Sequence, residues 1–422
     1  MFQTCCVKRT KPHFVSLVRT DTCSYSDGTA GVTNPYDDLG RLTTVVVNGM
    51  TDTLSYNLAG NLLTESFSGG PLNGLSVSNQ FDNFLRRTNL AILGATTPSQ
   101  TAYGYDAASR LATVNDGNSE VATYSYLANS PLVSQIVFKQ NGSTRMTSTK
   151  QYDNLNRLTQ ISSALTAAYT LPQAFNYGYN QANQRTKDVL ADGSYWVYGY
   201  DSLGQVTNGC KYFSDGTPVA GQQFDYAFDT IGNRTQTMSG GDATGSPSSL
   251  RVASYSANNL NQITSRDISA FVDVMGASIL TNAVTVNGQT AYRKQEYYRQ
   301  QLPANNSTSA LWTNIVVAGG QSMTGNVYVA QEPEHFKYDG DGNLTNDGRW
   351  AYTWDAENRL TQMTVNANVG PQYQLTFAYD AKGRRIQKVA TTNGITSTLN
   401  FLYDGWNLVA ELRAPNSALR TY

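Results

Sequence analysis

Histidine is nearly missing from this chain, with only His13 and His335 in 422 residues, and cysteine is scarce. Two histidines far apart in sequence leave a His-centred triad or a multi-His metal site with almost nothing to draw on. The cysteines are Cys5, Cys6, Cys23 and Cys210. They are too few and too unevenly spaced for a disulfide framework, and no Cys-x-x-Cys pair offers a zinc site. Charge is low as well: acidic and basic residues make up 14% and leave a net charge of −1. That balance gives no electrostatic footprint for nucleic acid or an anionic membrane. No apolar run reaches membrane-spanning length, so membrane insertion is not expected. The first twenty residues carry Lys8, Arg9, Lys11 and Arg19 without a continuous apolar core, unlike a signal peptide.

What is abundant is polar and aromatic residues, including 27 Tyr, and they are periodic. An aromatic residue followed by Asp or Asn opens a short motif, closed three residues later by Gly or Asn and followed by a long polar residue, an aliphatic residue and Thr. Recognisable copies begin at Tyr36, Tyr56, Phe81, Tyr105, Tyr126, Tyr152, Tyr179, Tyr200, Phe228, Tyr255, Tyr338, Trp354, Tyr379 and Tyr403. Apart from the gap between Tyr255 and Tyr338, successive starts lie 16 to 28 residues apart, the period of a stacked supersecondary unit.

Each position has a backbone reason. In Asp37-Asp38-Leu39-Gly40 the first Asp can accept a hydrogen bond from the backbone two residues on, and Gly suits a closing position with positive φ. This is the pattern of a hairpin turn with a one-residue bulge. The best copies are Tyr36, Asp37 and Gly40; Tyr105 and Asp106; Tyr152, Asp153 and Asn156; Tyr200, Asp201 and Gly204; and Phe228, Asp229 and Gly232. Three more follow the gap: Tyr338, Asp339 and Gly342; Trp354, Asp355 and Asn358; and Tyr379, Asp380 and Gly383; the closing Gly or Asn also recurs at Gly60, Asn183 and Asn407. Leu85, Ser109 and Ser130 break the Gly/Asn rule, and the copy at Tyr255 needs two extra residues, so these four turns are expected to differ locally. Alternation such as Tyr103-Gly104-Tyr105 and Tyr198-Gly199-Tyr200 predicts strands entering each turn, with rings stacking between neighbouring copies.

These motifs resemble the YD repeats of rearrangement-hotspot (RHS) proteins, found also in bacterial toxin-complex subunits and animal teneurins. The likeness runs from about Tyr36 to Tyr403. It implies an all-β fold in which repeated hairpins form a spiralling, curved sheet, part of a hollow shell that in several relatives encloses a toxic polypeptide. It also implies a parent protein that is secreted or displayed at the cell surface, with an enclosed or tethered polypeptide cargo as partner. In such relatives an aspartate-dependent cleavage region follows the last repeat, marked by an Asp-Pro dipeptide. This sequence contains no Asp-Pro, so self-cleavage and toxin activity do not carry over.

The repeat divides the chain into an unassigned stretch 1–31 that lacks a repeat and suits loose order, a YD-repeat sheet over 32–265, an insertion over 266–335, and a second YD region over 336–422 in which the shell is truncated. The insertion has its own strand pattern, and Val284-Thr285-Val286-Asn287-Gly288 looks like the opening of bacterial immunoglobulin-like modules of the glucodextranase-B kind. An elaborated loop is the other reading at this length.

Candidate chemistry is thin. Asp339-Gly340-Asp341-Gly342-Asn343 spaces oxygens as a calcium loop does, but Leu344 and Trp350 stand where an EF-hand needs Gly and Glu. Arg41, Arg86, Arg110, Arg157, Arg359 and Arg384 recur after the closing residue, suiting either an acidic ligand or neutralisation of the turn acids. Glu332 and Glu334 are lone acids. The sequence therefore predicts a non-enzymatic structural shell segment with no cofactor, catalytic or metal-binding residue. A cell-surface adhesin that binds a glycan through the insertion or exposed aromatics is the alternative.

Overall fold

In this computed structural model the described residues are 20–96, 99–166, 173–279, 282–413 and 417–421. Cys5, Cys6, His13 and most of the unassigned stretch lie outside them. The described chain is built from antiparallel strands in sheets of 22, nine, four and three, with one three-residue 3-10 turn at Pro247–Ser249. Two compact units divide it: residues 1–147, 352–364 and 372–422, and residues 148–351 with 365–371.

In the first unit, Thr20–Cys23 pairs with Val32–Pro35, so the end of the stretch left unassigned by sequence is an ordered strand. From Val32 onward each strand pairs with the next through Val133–Gln140. The C-terminal strands Tyr373–Tyr379, Arg385–Thr392, Ile395–Asp404, Asn407–Arg413 and Ser417–Thr421 do the same. Period-two alternation sends one set of side chains inward. Val45, Val47, Met50, Leu54, Phe67, Leu75, Val77, Leu90 and Ile92 meet Ile386, Leu402, Val409, Ala410 and Leu412 in one apolar core. Residues more than 300 apart in sequence are thus packed together within this unit.

The second unit repeats the hairpin pattern from Leu158–Leu165 to Ile263–Arg266. The chain then leaves, and Glu334–His335 returns to pair with Ser265 and Arg266, so the insertion is an excursion between two adjacent strands. It holds a three-stranded sheet of Phe271–Ala277, Tyr297–Pro303 and Tyr292–Lys294. It also holds a four-stranded sheet of Gln289–Thr290, Thr285–Val286, Leu311–Ala318 and Ser322–Val329. Val284, Val286, Ala291, Tyr298 and Leu302 form a core between them. The insertion thus contains two small sheets of its own. It is anchored on the repeat sheet by Lys294 to Asp215 at 2.6 Å, by Arg251 pairing with Asp273 and by Tyr297 donating to the Ala220 carbonyl.

Candidate functional site: a clasp between neighbouring turns

The turn acids Asp37, Asp106, Asp153, Asp201, Asp229, Asp339, Asp355 and Asp380 all act in one way. One carboxylate oxygen accepts the backbone N–H groups two and four residues on, at 2.8 to 3.0 Å. The closing N–H, as at Gly40, donates to the carbonyl of the Asp, at 2.9 Å there. The closing residue has positive φ: 74° at Gly40, 61° at Asn156, 83° at Gly204, 92° at Gly232, 89° at Gly342, 57° at Asn358 and 78° at Gly383. Strand pairing slips by one residue at the aromatic, for example at Tyr56, Tyr105, Tyr179, Tyr200, Phe228 and Tyr379, which is the bulge. Backbone hydrogen bonds from Arg41 and Arg110 in the first place hold the Asp37 and Asp106 carboxyls below the usual range.

Three of the four turns expected to differ do not. Leu85 and Ser109 take φ of 62° and 61°, and the late copy closes at Asn261 with φ 61° once Asn258 is read as its acid-like residue. Asp82 and Asp106 supply the same hydrogen bonds as elsewhere, so the turn imposes its backbone on a residue ill suited to it. The fourth is wider: Leu127 N–H reaches the Leu132 carbonyl, and the left-handed residue moves to Asn129. Asn407 is a correction. Asp404 pairs directly with Asn407 across a two-residue turn whose Gly405 carries the positive φ of 58°. Because a side-chain-bearing residue pays about 1 kcal/mol in the left-handed region, Leu85→Gly should raise stability by about 0.5–1 kcal/mol in urea unfolding. A fall in stability would contradict the assignment of Leu85 as the strained closing residue.

The recurrent arginines join one turn to the next. Each bridges to the Asp of its own turn, at 2.7 Å in Arg41, Arg86 and Arg157, 2.8 Å in Arg110 and Arg359, and 2.6 Å in Arg384. The same guanidinium lies over the aromatic ring of the following copy, at 5.0 Å for Tyr56, 4.7 Å for Tyr105, 4.3 Å for Tyr126, 4.9 Å for Tyr179 and 5.4 Å for Tyr379 and Tyr403. Its far nitrogen donates into that following turn, to the carbonyl of Asn57, Ser130, Asn180, Asp380 or Gly405, or to the Ser109 hydroxyl. The ring answers: Tyr56 donates its hydroxyl proton to the Leu42 carbonyl, Tyr105 to Arg87, Tyr126 to Leu111, Tyr179 to Leu158, Tyr379 to Leu360 and Tyr403 to Arg385, at 2.6 to 3.0 Å. The rings expected to stack on one another are thus covered at these six positions by arginine. Ring pairs occur elsewhere, as in Tyr195 with Tyr212 at 5.3 Å and Trp196 with Phe224 at 6.3 Å.

The remaining candidates resolve simply. Both Asp339 oxygens accept from its own turn, including Asn343 Nδ2 at 3.1 Å, which leaves the calcium-like spacing as a turn. Glu334 is buried against Arg266 at 2.5 Å, and Glu332 accepts the Ile268 N–H. His335 sits exposed in the returning strand, and among the described residues no three His, Cys, Asp or Glu side chains gather as metal ligands would.

Sequence periodicity missed a buried charge cluster in the first unit. Glu65, 2% exposed, accepts from Lys382 at 2.8 Å and from Arg384 at 2.7 Å, and Lys382 is 3.8 Å from buried Asp52. Burial, then the Glu65 charge, pushes the Asp52 carboxyl up to about 8. Burial also opposes ionisation of Glu65, but Arg384 and Lys382 outweigh it and hold that carboxyl below its usual range. The available signal was a pair of acids on an inward face otherwise filled by Met50, Leu54 and Phe67.

No family model matches the chain. Over 91 residues it is 43% identical to tRNA nuclease WapA of Bacillus subtilis and to tRNA3(Ser)-specific nuclease WapA of Bacillus spizizenii, a match covering 21% of this chain and 4% of either relative. Among solved structures, TcdB2-TccC3-TEV aligns over 94% of this chain and 21% of its own, with TM-score 0.46 and 12% identity. TcdB2-TccC3-Cdc42 aligns over 94% of this chain and 24% of its own, with TM-score 0.38 and 11% identity. The turn, its bulge and the arginine clasp, repeated in register through an antiparallel all-β fold, define a protein built of YD repeats. In these repeats the chain resembles RHS-type repeat proteins. Among the described residues no helix is long and apolar enough to cross a membrane.

Proposed function

We propose that this segment is a non-enzymatic piece of shell wall, and that its parent protein, secreted or displayed at the cell surface, uses that wall to enclose or present another polypeptide. The observation that carries the reading is the clasp. A wall must resist opening between hairpins, and here each arginine ties its own turn, the next ring and the next turn's backbone together, adding to the strand ladder. The turn acids and the six clasped tyrosines are engaged in that job. Nuclease activity is not part of the proposal, because the matched stretch is 4% of the length of the relatives that bear that name.

The test uses the full-length parent. Its cargo should resist added protease while the wall is intact and be digested at the rate of free cargo once the wall is opened, for example by Arg384→Ala. Digestion of the cargo at the free rate in the unaltered parent removes the enclosure reading.

A further inference from the structure

Two strands of the insertion have an open backbone edge. Phe271–Ala277 pairs only with Tyr297–Pro303, and Ser322–Val329 pairs only with Leu311–Ala318, among the described residues. Exposed edges are ordinarily guarded by lysine, proline or a bulge. Ser322-Met323-Thr324-Gly325-Asn326-Val327-Tyr328-Val329 has no charge, no proline and an unbroken register, and its first five residues are exposed.

Both edges border one cleft of about 450 Å³ within the second unit. Phe271 and Val272 form one wall, Val327, Tyr328 and Val329 another, and Arg349 with Trp350 a third. Arg349 is unlike the arginines of the turns. Its guanidinium is framed by the rings of Tyr328 at 4.9 Å, Trp350 at 5.4 Å and Trp312 at 5.6 Å and forms no ion pair among the described residues, while its backbone N–H donates to Oδ1 of Asp347, another residue of the cleft, at 2.7 Å. The Tyr328 hydroxyl is already used, donating to the Gly348 carbonyl, and Arg266 is taken by Glu334. The cleft therefore offers an unused strand edge, an apolar wall and, beside Asp347 and the Arg266–Glu334 pair, a guanidinium held by aromatic packing that forms no ion pair among the described residues.

We propose that this cleft receives an extended polypeptide segment bearing an acidic side chain. The segment adds as a further strand along Ser322–Val329, places its carboxylate on Arg349 and lays apolar neighbours against Phe271 and Val272. A saccharide would use Arg349 and the aromatic rings but would leave the strand edge unsatisfied. The inference is independent of enclosure, since a wall that shields nothing still presents this cleft.

An array of fluorescent nonapeptides with a central glutamate flanked by varied apolar residues supplies the probe, read by polarisation against the whole chain. Peptides that bind should weaken about tenfold or more when the glutamate becomes glutamine, a change of about 1.4 kcal/mol, and similarly against Arg349→Gln. Methylating alternate peptide amides should abolish binding in one phase and spare it in the other, as a one-sided strand ladder requires. Arg349→Lys keeps the charge among the rings but loses the planar fork, so it should melt like the parent and bind more weakly. Absence of any binding peptide, indifference to the glutamate, or equal effects of both methylation phases overturns the proposal. Capture of oligoglucuronate in place of peptides overturns it in favour of a glycan subsite.

Discussion

Arg384→Ala should destabilise the chain by about 3–5 kcal/mol in chemical denaturation, because it removes one member of a buried, hydrogen-bonded ionic group. Arg384 is 3% exposed and contacts Glu65 at 2.7 Å and Asp380 at 2.6 Å. Its loss leaves two carboxylates buried with only Lys382 as a cationic partner. Arg41, whose ion-paired side chains stand 28% and 24% exposed, is the matched control. The same substitution there should cost about 1 kcal/mol or less. Adding Glu65→Gln to Arg384→Ala should recover part of the loss, since the uncompensated charge is then gone. Equal costs at Arg384 and Arg41 would show that the buried cluster contributes nothing beyond an ordinary clasp.

Asp52→Asn should abolish an alkaline weakness. The Asp52 carboxyl sits at about 8 when folded and near the usual 3.8 when unfolded. The folded state therefore binds the proton more tightly. Its contribution is complete below about pH 4, declines as pH rises, and is lost once pH passes about 8. Between pH 5 and pH 9 the unaltered chain should lose about 2–4 kcal/mol through this group, allowing for partial solvent access and its coupling to Glu65. The asparagine variant should be nearly flat over the same window. Glu65 acts with the opposite sign: its lowered pKa contributes stability above the usual carboxylate range that is lost on further acidification. Parallel stability profiles for the two proteins from pH 5 to pH 9 would refute the assignment to Asp52.

The hairpins were readable because each turn is decided within a few residues. Asp37 accepts from residues two and four positions away, and Gly40 needs only its own φ. Leu85 and Ser109 show where propensity fails: the hydrogen bonds made by Asp82 and Asp106 outweigh the backbone cost at the closing residue. At Asn407 a competing glycine two positions earlier captures the turn, which the repeat pattern did not anticipate. The clasp was half visible. Periodicity lined up the arginines, but that each reaches over the next tyrosine depends on the lateral spacing of strands. The cluster of Asp52, Glu65, Lys382 and Arg384 was not visible, because period-two alternation says which face is buried and nothing about what buries it. Arg349 carried no periodic signal either, since its partners Trp312 and Tyr328 come from the insertion.

The clasp has a consequence for how such chains change length. Every contact in it joins a residue to its own turn or to the next copy, as Arg41 joins Asp37, Tyr56 and Asn57. A hairpin exchanged for another that keeps the tyrosine, the acid and the long polar residue meets the same partners on both sides. Duplication, deletion or shuffling of whole copies by unequal recombination therefore leaves the local bonding rules intact, whereas a break within a copy severs them. Acids such as Glu65, which depend on one particular distant partner, are the positions that a shuffled descendant would have to repair.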